Sequence, residues 1–203
     1  MAFAPSTDQT DDPSVVSLYI ASGGTDADIW EFTFAPPVAP SLAATAATLV
    51  QTIEVWNFSP PSPDASGATY LPHSNRLLEG DSEVNEKSIY QDINQFEMEL
   101  DGSLINTYNT TRFSRELTGI AFDPDRNHLF ITDDDAKMVY ESDLSYNMVN
   151  SFPVATLDGK SVDPEGIAYN SWNGRLYIAG GTSNTMFWID PGTDKFFGTS
   201  DDL

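Results

Sequence analysis

Short segments in which apolar and polar residues alternate run along most of this chain, separated by clusters of Gly, Pro, Asn and Asp. Alternation over about four to eight residues is typical of a β-strand with one buried face. The clearest pair lies at residues 167–169 and 175–179, joined by a turn centred on Asn173 and Gly174. An Asn-Gly pair between two such segments predicts a β-hairpin. We therefore expect antiparallel strands joined by tight turns.

The same hairpin pattern occurs three times, each time with an acidic residue and a glycine near the start of its first strand. The glycines are Gly67, Gly119 and Gly166, separated by 52 and 47 residues. A fourth, partial copy lies near the start, where residues 18–24 match residues 176–181. A repeat of about 40 to 50 residues with four short strands is typical of one blade of a β-propeller. The sequence therefore predicts an all-β fold of the β-propeller class.

The repeats divide the chain into consecutive blades. We predict a flexible segment at 1–13, a partial blade at 14–59 that lacks its first strand, complete blades at 63–111 and 115–157, and a partial three-stranded blade at 162–203. This gives about three and a half blades, whereas complete propellers have about four to eight. We expect the chain to be part of a larger chain whose propeller has six blades. A compact four-bladed ring is the alternative.

The chain is strongly acidic, with 31 Asp and Glu against 9 Lys and Arg and a formal net charge of −22. Such a charge repels nucleic acid and anionic lipid, so we expect no nucleic-acid partner. The absence of cysteine excludes disulfides and cysteine-based zinc sites. No apolar run approaches the ~20 residues of a membrane-spanning helix, so no membrane span is expected. The acidity fits either a solvated or salt-adapted surface, or carboxylates gathered around hard cations.

Two sets of acidic residues follow the repeat and are candidate calcium ligands. The loops that open the blades contain Asp64, Glu116, Asp163 and Glu165, and the second strands are followed by Asp81, Glu83, Asp133 and Asp134. Carboxylates that converge on a central channel repel one another unless a cation separates them, and Ca²⁺ takes about six to eight oxygen ligands. The alternative is that each acid caps its own loop by accepting backbone N–H bonds, with the glycine in a positive-φ turn.

Few residues predict catalysis. His73 and His128 fall in the turns after first strands, where we expect them to be exposed, and the chain has no G-x-S-x-G, P-loop or H-E-x-x-H motif. One hypothesis is therefore a calcium-stabilised module that binds a protein, glycan or small molecule at its loop face, where an insertion lies at residues 81–92. The second is a calcium-dependent hydrolase in which the metal activates water. A third is a structural module of a larger secreted protein.

Four motifs carry a resemblance to a known group of proteins: GDSEVNE at 80–86, ELTGIAFDP at 116–124, DPEGIAY at 163–169 and FGTSDD at 197–202. On these motifs the chain resembles secreted bacterial β-propellers related to the NHL-repeat, SdiA-regulated and phytase-like esterase groups. The resemblance implies a six-bladed propeller in the extracellular space or periplasm, often with bound Ca²⁺, and with the DPEG acids at the channel. A phytase-like phosphoesterase would also need basic residues that grip phosphate, and the 9 Lys and Arg here are scattered singly.

Overall fold

The strands of this protein form four antiparallel sheets that follow one another along the chain. The computed structural model describes residues 2–5, 16–22, 27–34, 47–82, 92–156, 159–181 and 185–203. Within these ranges the chain is all-β apart from one short 3₁₀ helix, Val55–Asn57. In each sheet the strands pair with their neighbours in chain order, so that every sheet is a simple meander.

The bounds of the strands are as follows. Sheet 1 contains β1 (Ala2–Pro5), β2 (Val16–Ser22), β3 (Asp28–Phe34) and β4 (Ala47–Ile53). Sheet 2 contains β5 (Ala65–Leu71), β6 (Arg76–Asp81), β7 (Gln95–Glu99) and β8 (Leu104–Tyr108). Sheet 3 contains β9 (Leu117–Asp123), β10 (His128–Asp133), β11 (Met138–Asp143) and β12 (Met148–Pro153). Sheet 4 contains β13 (Pro164–Asn170), β14 (Arg175–Gly180) and β15 (Thr185–Ile189).

The all-β class and the succession of sheets agree with the predicted repeats, but the first sheet differs from the prediction. Its first strand was expected to be missing, whereas Ala2–Pro5 pairs with β2, with Ala2 opposite Tyr19. This strand lies inside the segment 1–13 that was predicted to be flexible, and residues 6–13 of that segment are outside the described residues. Four residues with two alanines carry too little strand signal by themselves, and backbone pairing with β2 supplies the rest.

The repeated glycines lie where the first strands of successive sheets touch. A Cβ placed on Gly67 would be 2.9 Å from Cα of Gly119 in the next sheet. A Cβ placed on Gly119 would be 2.6 Å from the carbonyl oxygen of Glu165 and 3.0 Å from the amide nitrogen of Ile167. Neither glycine has a positive φ, so the predicted turn role is wrong for them. Glycine is required here because two backbones approach each other closely.

Hydroxyl groups next to these glycines link the same strands. The hydroxyl of Ser66 donates to the carbonyl oxygen of Leu117, and that of Thr118 donates to the carbonyl oxygen of Pro164 at 2.9 Å. Ser66 and Thr118 occupy equivalent positions, each directly before the repeated glycine. The same two contacts therefore join sheet 2 to sheet 3 and sheet 3 to sheet 4.

Three apolar clusters fill the spaces between the sheets. The first packs Tyr19 and Ile29 of sheet 1 against sheet 2, and the second packs sheet 2 against Leu129 and Ile131 of sheet 3. The third lies between sheets 3 and 4, and its buried members are Phe130, Val139, Phe152, Val154, Val162, Leu176, Ile178 and Phe197. Burial of these side chains supplies the main stabilisation of a fold of packed sheets.

The turn between the first and second strands is also repeated. Asn75 and Asn127 have φ of 57° and 59°, and Gly174 has φ of 69° at the equivalent position of sheet 4. Asparagine and glycine tolerate this left-handed conformation better than other residues. The turn centred on Asn173 and Gly174 is thus confirmed, and the same turn chemistry recurs in sheets 2 and 3.

We predict that Gly119→Ala destabilises the protein by about 1 to 3 kcal/mol, because the new methyl group would overlap the backbone of β13. Gly166→Ala is the matched control, because a Cβ there meets only the Cβ of Ala179, at 3.9 Å. Urea unfolding measures both. Equal losses of unfolding free energy in the two variants would contradict the close approach of the first strands.

Candidate functional site

The loops that open the sheets and the ends of the second strands meet at one end of the molecule. The pairing places Ala65 opposite Asp81, Leu117 opposite Asp133, and Pro164 opposite Gly180. We call this the acidic end, and it contains Asp64, Asp81, Glu116, Asp133, Asp134, Asp163 and Glu165. The remaining predicted ligand, Glu83, lies outside the described residues. The carboxyl groups do not all converge. Asp133 lies in a hydrogen-bond network of its own, Asp81 lies beside Glu79, and Asp134, Asp163 and Glu165 form a third group.

Asp133 caps the loop that opens sheet 3. It is 4% exposed, and its Oδ2 accepts hydrogen bonds from the hydroxyl of Ser114 at 3.1 Å and from the amides of Arg115 and Glu116 at 3.1 and 3.3 Å. Its Oδ1 accepts from the amide of Ala136 at 2.8 Å. These four donors hold the loop in place, and they give both oxygens of the buried carboxylate hydrogen-bond partners.

Asp81 holds the equivalent position in sheet 2, where it lies beside a second buried carboxyl group, that of Glu79. The hydroxyl oxygen of Ser62 is 2.6 Å from Asp81 Oδ2 and 3.1 Å from Glu79 Oε1. The amide of Asp64 also donates to Asp81 Oδ2, at 2.8 Å. Both carboxyl groups are fully buried, and Glu79 Oε2 has no hydrogen-bond partner. Ser62 has a single hydroxyl proton, so it cannot donate to both at once.

The pKa of Glu79 is therefore raised well above its usual value. Burial is the largest cause, the negative charges of Asp81 and Asp64 add to it, and the hydrogen bond with Ser62 opposes it. A carboxyl group with a raised pKa takes up a proton at a higher pH than a free one does, and a protonated carboxyl group can act as a hydrogen-bond donor. Sequence analysis missed Glu79, although a signal was present: Ile131 and Ile178 occupy the same position in the next two repeats.

Asp134, Asp163 and Glu165 form an electrostatically coupled triplet between sheets 3 and 4. Burial raises the pKa of Glu165, and the charges of Asp134 and Asp163 raise it further. Burial and the charge of Asp163 likewise raise the pKa of Asp134, whose Oδ1 is buried without a hydrogen-bond partner. These three predicted ligands are brought together, whereas Asp81 and Asp133 are held in separate hydrogen-bond networks.

Oxygen donors of this type suit Ca²⁺, but their positions do not close around one point. In the described part of the chain, no three His, Asp or Glu side chains are arranged to hold a metal ion. In sheet 4, Gly180 stands opposite Pro164, where Asp81 and Asp133 stand in sheets 2 and 3. The seven predicted ligands that the structure describes consequently do not form a repeated site, and the role of all eight in metal binding stays a prediction.

The two histidines lie at the opposite end of the sheets, where each contacts a neighbouring side chain. Nδ1 of His128 lies 2.7 Å from Glu141 Oε1, and the ring is only partly exposed, so the prediction that His128 is a free turn residue is wrong. His73 is exposed and packs edge-on against Phe122. Equivalent positions in sheets 2 and 4 carry Arg76, bound to Glu97 at 3.1 Å, and Arg175, bound to Asp190 at 3.0 Å. In sheets 2 to 4, an Arg or His at the start of the second strand thus contacts an acidic residue in or directly after the third strand.

An open apolar groove of about 1010 Å³ lies between β12 and β15. Its lining includes Phe152, Val154 and Phe187. At one end of the groove, Asp190 and Leu203 exchange two backbone hydrogen bonds of 2.9 and 3.0 Å. The groove flanks the outer edge of β15, where sheets 1 to 3 have a fourth strand.

Comparison with models of known protein families gave no match, and comparison with curated proteins gave none. Among the described residues, no helix is long and apolar enough to cross a membrane. The site must therefore be interpreted from its own chemistry.

We predict that Asp133→Ala lowers the free energy of unfolding by about 2 to 4 kcal/mol, because the buried hydroxyl of Ser114 and three partly buried backbone N–H groups lose their acceptor. Asp135→Ala is the control, since that neighbouring side chain is exposed. Thermal unfolding in EDTA provides the measurement. A loss for Asp133→Ala that appears only when Ca²⁺ is present would contradict the capping role.

We predict that Glu79→Gln makes stability less dependent on pH. A folded-state pKa above the unfolded value of about 4.3 contributes stability that is present below that value and is lost as pH rises through the folded pKa. One proton changes the slope by at most about 1.4 kcal/mol per pH unit. Urea unfolding at several pH values between about 4 and 8 tests this. The exposed Glu54→Gln serves as control, and identical slopes for the wild type and Glu79→Gln would refute the assignment.

Proposed function

We propose that this chain is part of a β-propeller that acts as an extracellular or periplasmic binding module, stabilised by Ca²⁺ at its acidic end. The observation that supports a propeller best is the identical contact between the first strands of sheets 2 and 3 and of sheets 3 and 4. Gly67 meets Gly119, and Gly119 meets the backbone at Glu165 and Ile167. Repeating one packing operation on four-stranded meanders generates a radial array. A complete ring of six such sheets is the form we propose for the longer chain.

The binding surface of this module is the acidic end. Its loops connect rigid strands, and binding residues are concentrated on loops that a rigid scaffold positions. Within the triplet of Asp134, Asp163 and Glu165, burial and the neighbouring acidic groups raise the pKa of Asp134 and Glu165. A partner protein, glycan or small molecule that binds there would need a cationic group or a bridging metal ion, because the chain carries a net charge of −22.

Calcium is proposed because a cation would remove the repulsion within this triplet. To hold it, the side chains of Asp134, Asp163 and Glu165 would have to move closer together, because no three acidic side chains of the described residues are arranged around a metal ion. The remaining oxygen ligands would come from water or a bound partner. Asp81 and Asp133 already accept hydrogen bonds from their own loops, which supports a structural role for them.

A calcium-dependent phosphoesterase or esterase has less support. Phosphate recognition needs basic groups beside the metal. Among the described residues, Arg76 and Arg175 are engaged in ion pairs at the opposite end of the sheets. Arg115 and Lys137 belong to loops of the acidic end, but they are single basic residues in a strongly acidic sequence. We therefore propose binding rather than hydrolysis.

We predict that Ca²⁺ raises the melting temperature more than Mg²⁺ does at equal ionic strength. Stabilisation follows RT ln(1 + [L]/Kd), about 2.7 kcal/mol at a hundredfold excess over Kd. Glu165→Gln should abolish the calcium-specific part, and the exposed Asp194→Asn should preserve it.

Differential scanning fluorimetry with EDTA, Ca²⁺ and Mg²⁺ gives the comparison. An equal response to the two cations would mean charge screening and would leave a module without calcium. A calcium-specific rise that survives Glu165→Gln would place the ion elsewhere.

A further inference from the structure

The turn between β13 and β14 contains an Asn-Gly pair, Asn173 followed by Gly174, and the sequence has no second pair of this kind. Asparagine is a thermolabile residue, because its side-chain amide can be lost by deamidation. The reaction is fastest before glycine, which has no side chain to shield its backbone nitrogen from the neighbouring carboxamide. The same two residues that form the hairpin turn are therefore chemically reactive.

Deamidation begins when the backbone nitrogen of Gly174 attacks Cγ of Asn173. A new C–N bond forms, the bond from Cγ to Nδ2 breaks, and ammonia leaves with the proton that the Gly174 nitrogen loses. The product is a five-membered succinimide ring. Water then opens this ring at one of its two carbonyl carbons, which gives either aspartate or isoaspartate at position 173.

In the folded turn, the attacking nitrogen is already engaged. The amide of Gly174 donates a hydrogen bond to the carbonyl oxygen of Asn170 at 2.8 Å, and the amide of Asn173 donates to the same oxygen at 3.3 Å. Gly174 has a φ of 69°, so these bonds belong to the left-handed turn that joins the two strands. Attack on Cγ would require the bond from Gly174 to Asn170 to break first.

Both polar atoms of the Asn173 side chain are held as well. Its Nδ2 donates to the hydroxyl oxygen of Tyr177 at 3.0 Å, and its Oδ1 accepts from the amide of Arg175 at 3.2 Å. The carboxamide consequently cannot rotate freely into the orientation that attack requires. The fold restrains both reacting groups at once.

The equivalent turns of sheets 2 and 3 differ at this point. There, Asn75 and Asn127 themselves adopt the left-handed conformation, with φ of 57° and 59°. The residues that follow them are Arg76 and His128, whose side chains hinder the approach of the backbone nitrogen. In sheet 4, glycine takes the left-handed position and the asparagine stands one residue earlier. Of these three turns, the one in sheet 4 therefore combines an asparagine with an unshielded nitrogen.

We propose that Asn173 is a deamidation site that the folded hairpin protects and that reacts when the turn between β13 and β14 opens. Local opening of this kind costs less free energy than global unfolding. The protecting contacts all lie between Asn170 and Tyr177, within one hairpin. They do not depend on the sheets that precede or follow in a longer chain, nor on the proposed binding of calcium.

The modification is irreversible and weakens the turn that protected the site. Isoaspartate adds one carbon atom to the main chain, and the register of a hairpin depends on the length of its turn. The bonds of Asn173 and Gly174 to Asn170 would then not re-form in the same geometry. Aspartate keeps the length of the main chain but removes the Nδ2 donor to Tyr177. Molecules that have reacted should open this hairpin more readily.

Peptide mass spectrometry after incubation in a mildly alkaline buffer at physiological temperature tests the proposal. The folded wild type is compared with the same chain unfolded in guanidinium chloride, and samples taken at time zero serve as the blank. We expect Asn173 to react at least about tenfold faster in the unfolded chain, because protection requires the folded turn. Asn75 and Asn127 are internal controls, and in the unfolded chain they should react far more slowly than Asn173.

Two tyrosine variants test the side-chain contact. Tyr177→Phe removes the acceptor of Asn173 Nδ2, so the folded variant should deamidate about two- to tenfold faster than the folded wild type, as expected for the loss of one hydrogen bond. The two unfolded chains should react equally. Tyr169→Phe is the matched control, because that hydroxyl lies in the same sheet but binds Asp125, at 2.9 Å. It should react as the wild type does, and circular dichroism and thermal unfolding check that both variants fold.

Equal rates at Asn173 in the folded and unfolded wild type would overturn the proposal, because the turn would then give no protection. Absence of reaction at Asn173 in the unfolded chain would also overturn it, because the site would then not be reactive. A folded Tyr177→Phe variant that reacts no faster than Tyr169→Phe would reject the protecting role of the carboxamide contact.

Discussion

The close approach of the first strands is the constraint on which the rest of this fold depends. Gly67 and Gly119 allow the backbone of the next sheet to lie where a Cβ would otherwise stand. The hydroxyls of Ser66 and Thr118 then bind the carbonyl groups of that next strand. With these strands fixed, the three apolar clusters fill the spaces between neighbouring sheets.

The acidic end combines two uses of the same kind of side chain. Asp133 is buried, and its charge is compensated by backbone and hydroxyl donors, so it organises the loop that opens sheet 3. Glu79 shares the hydroxyl of Ser62 with Asp81, and burial and the charge of Asp81 raise its pKa. The triplet containing Glu165 lies nearer the surface and keeps its repulsion. The repulsion within this triplet is the feature on which the proposed cation binding rests.

The two faces of sheet 4 differ in burial, although its strands follow the same repeat as those of sheets 2 and 3. Leu176 and Ile178 are buried against sheet 3, while Met186 and Trp188 on the other face of sheet 4 are exposed. Neighbouring sheets, and not the repeat alone, therefore decide which side chains of sheet 4 are buried.

The sequence by itself determined the strands of sheets 2 to 4, because alternation and the turn residues Asn75, Asn127 and Gly174 act over a few positions. The repeat period of the sequence also identified the positions of the repeated glycines. Only the tertiary structure showed why they are glycines, because the backbone that excludes a Cβ at Gly119 belongs to a strand almost fifty residues away. The strand Ala2–Pro5 was missed for the same reason. Pairing partners and neighbouring sheets decide them, and a linear pattern does not record which distant segments come into contact.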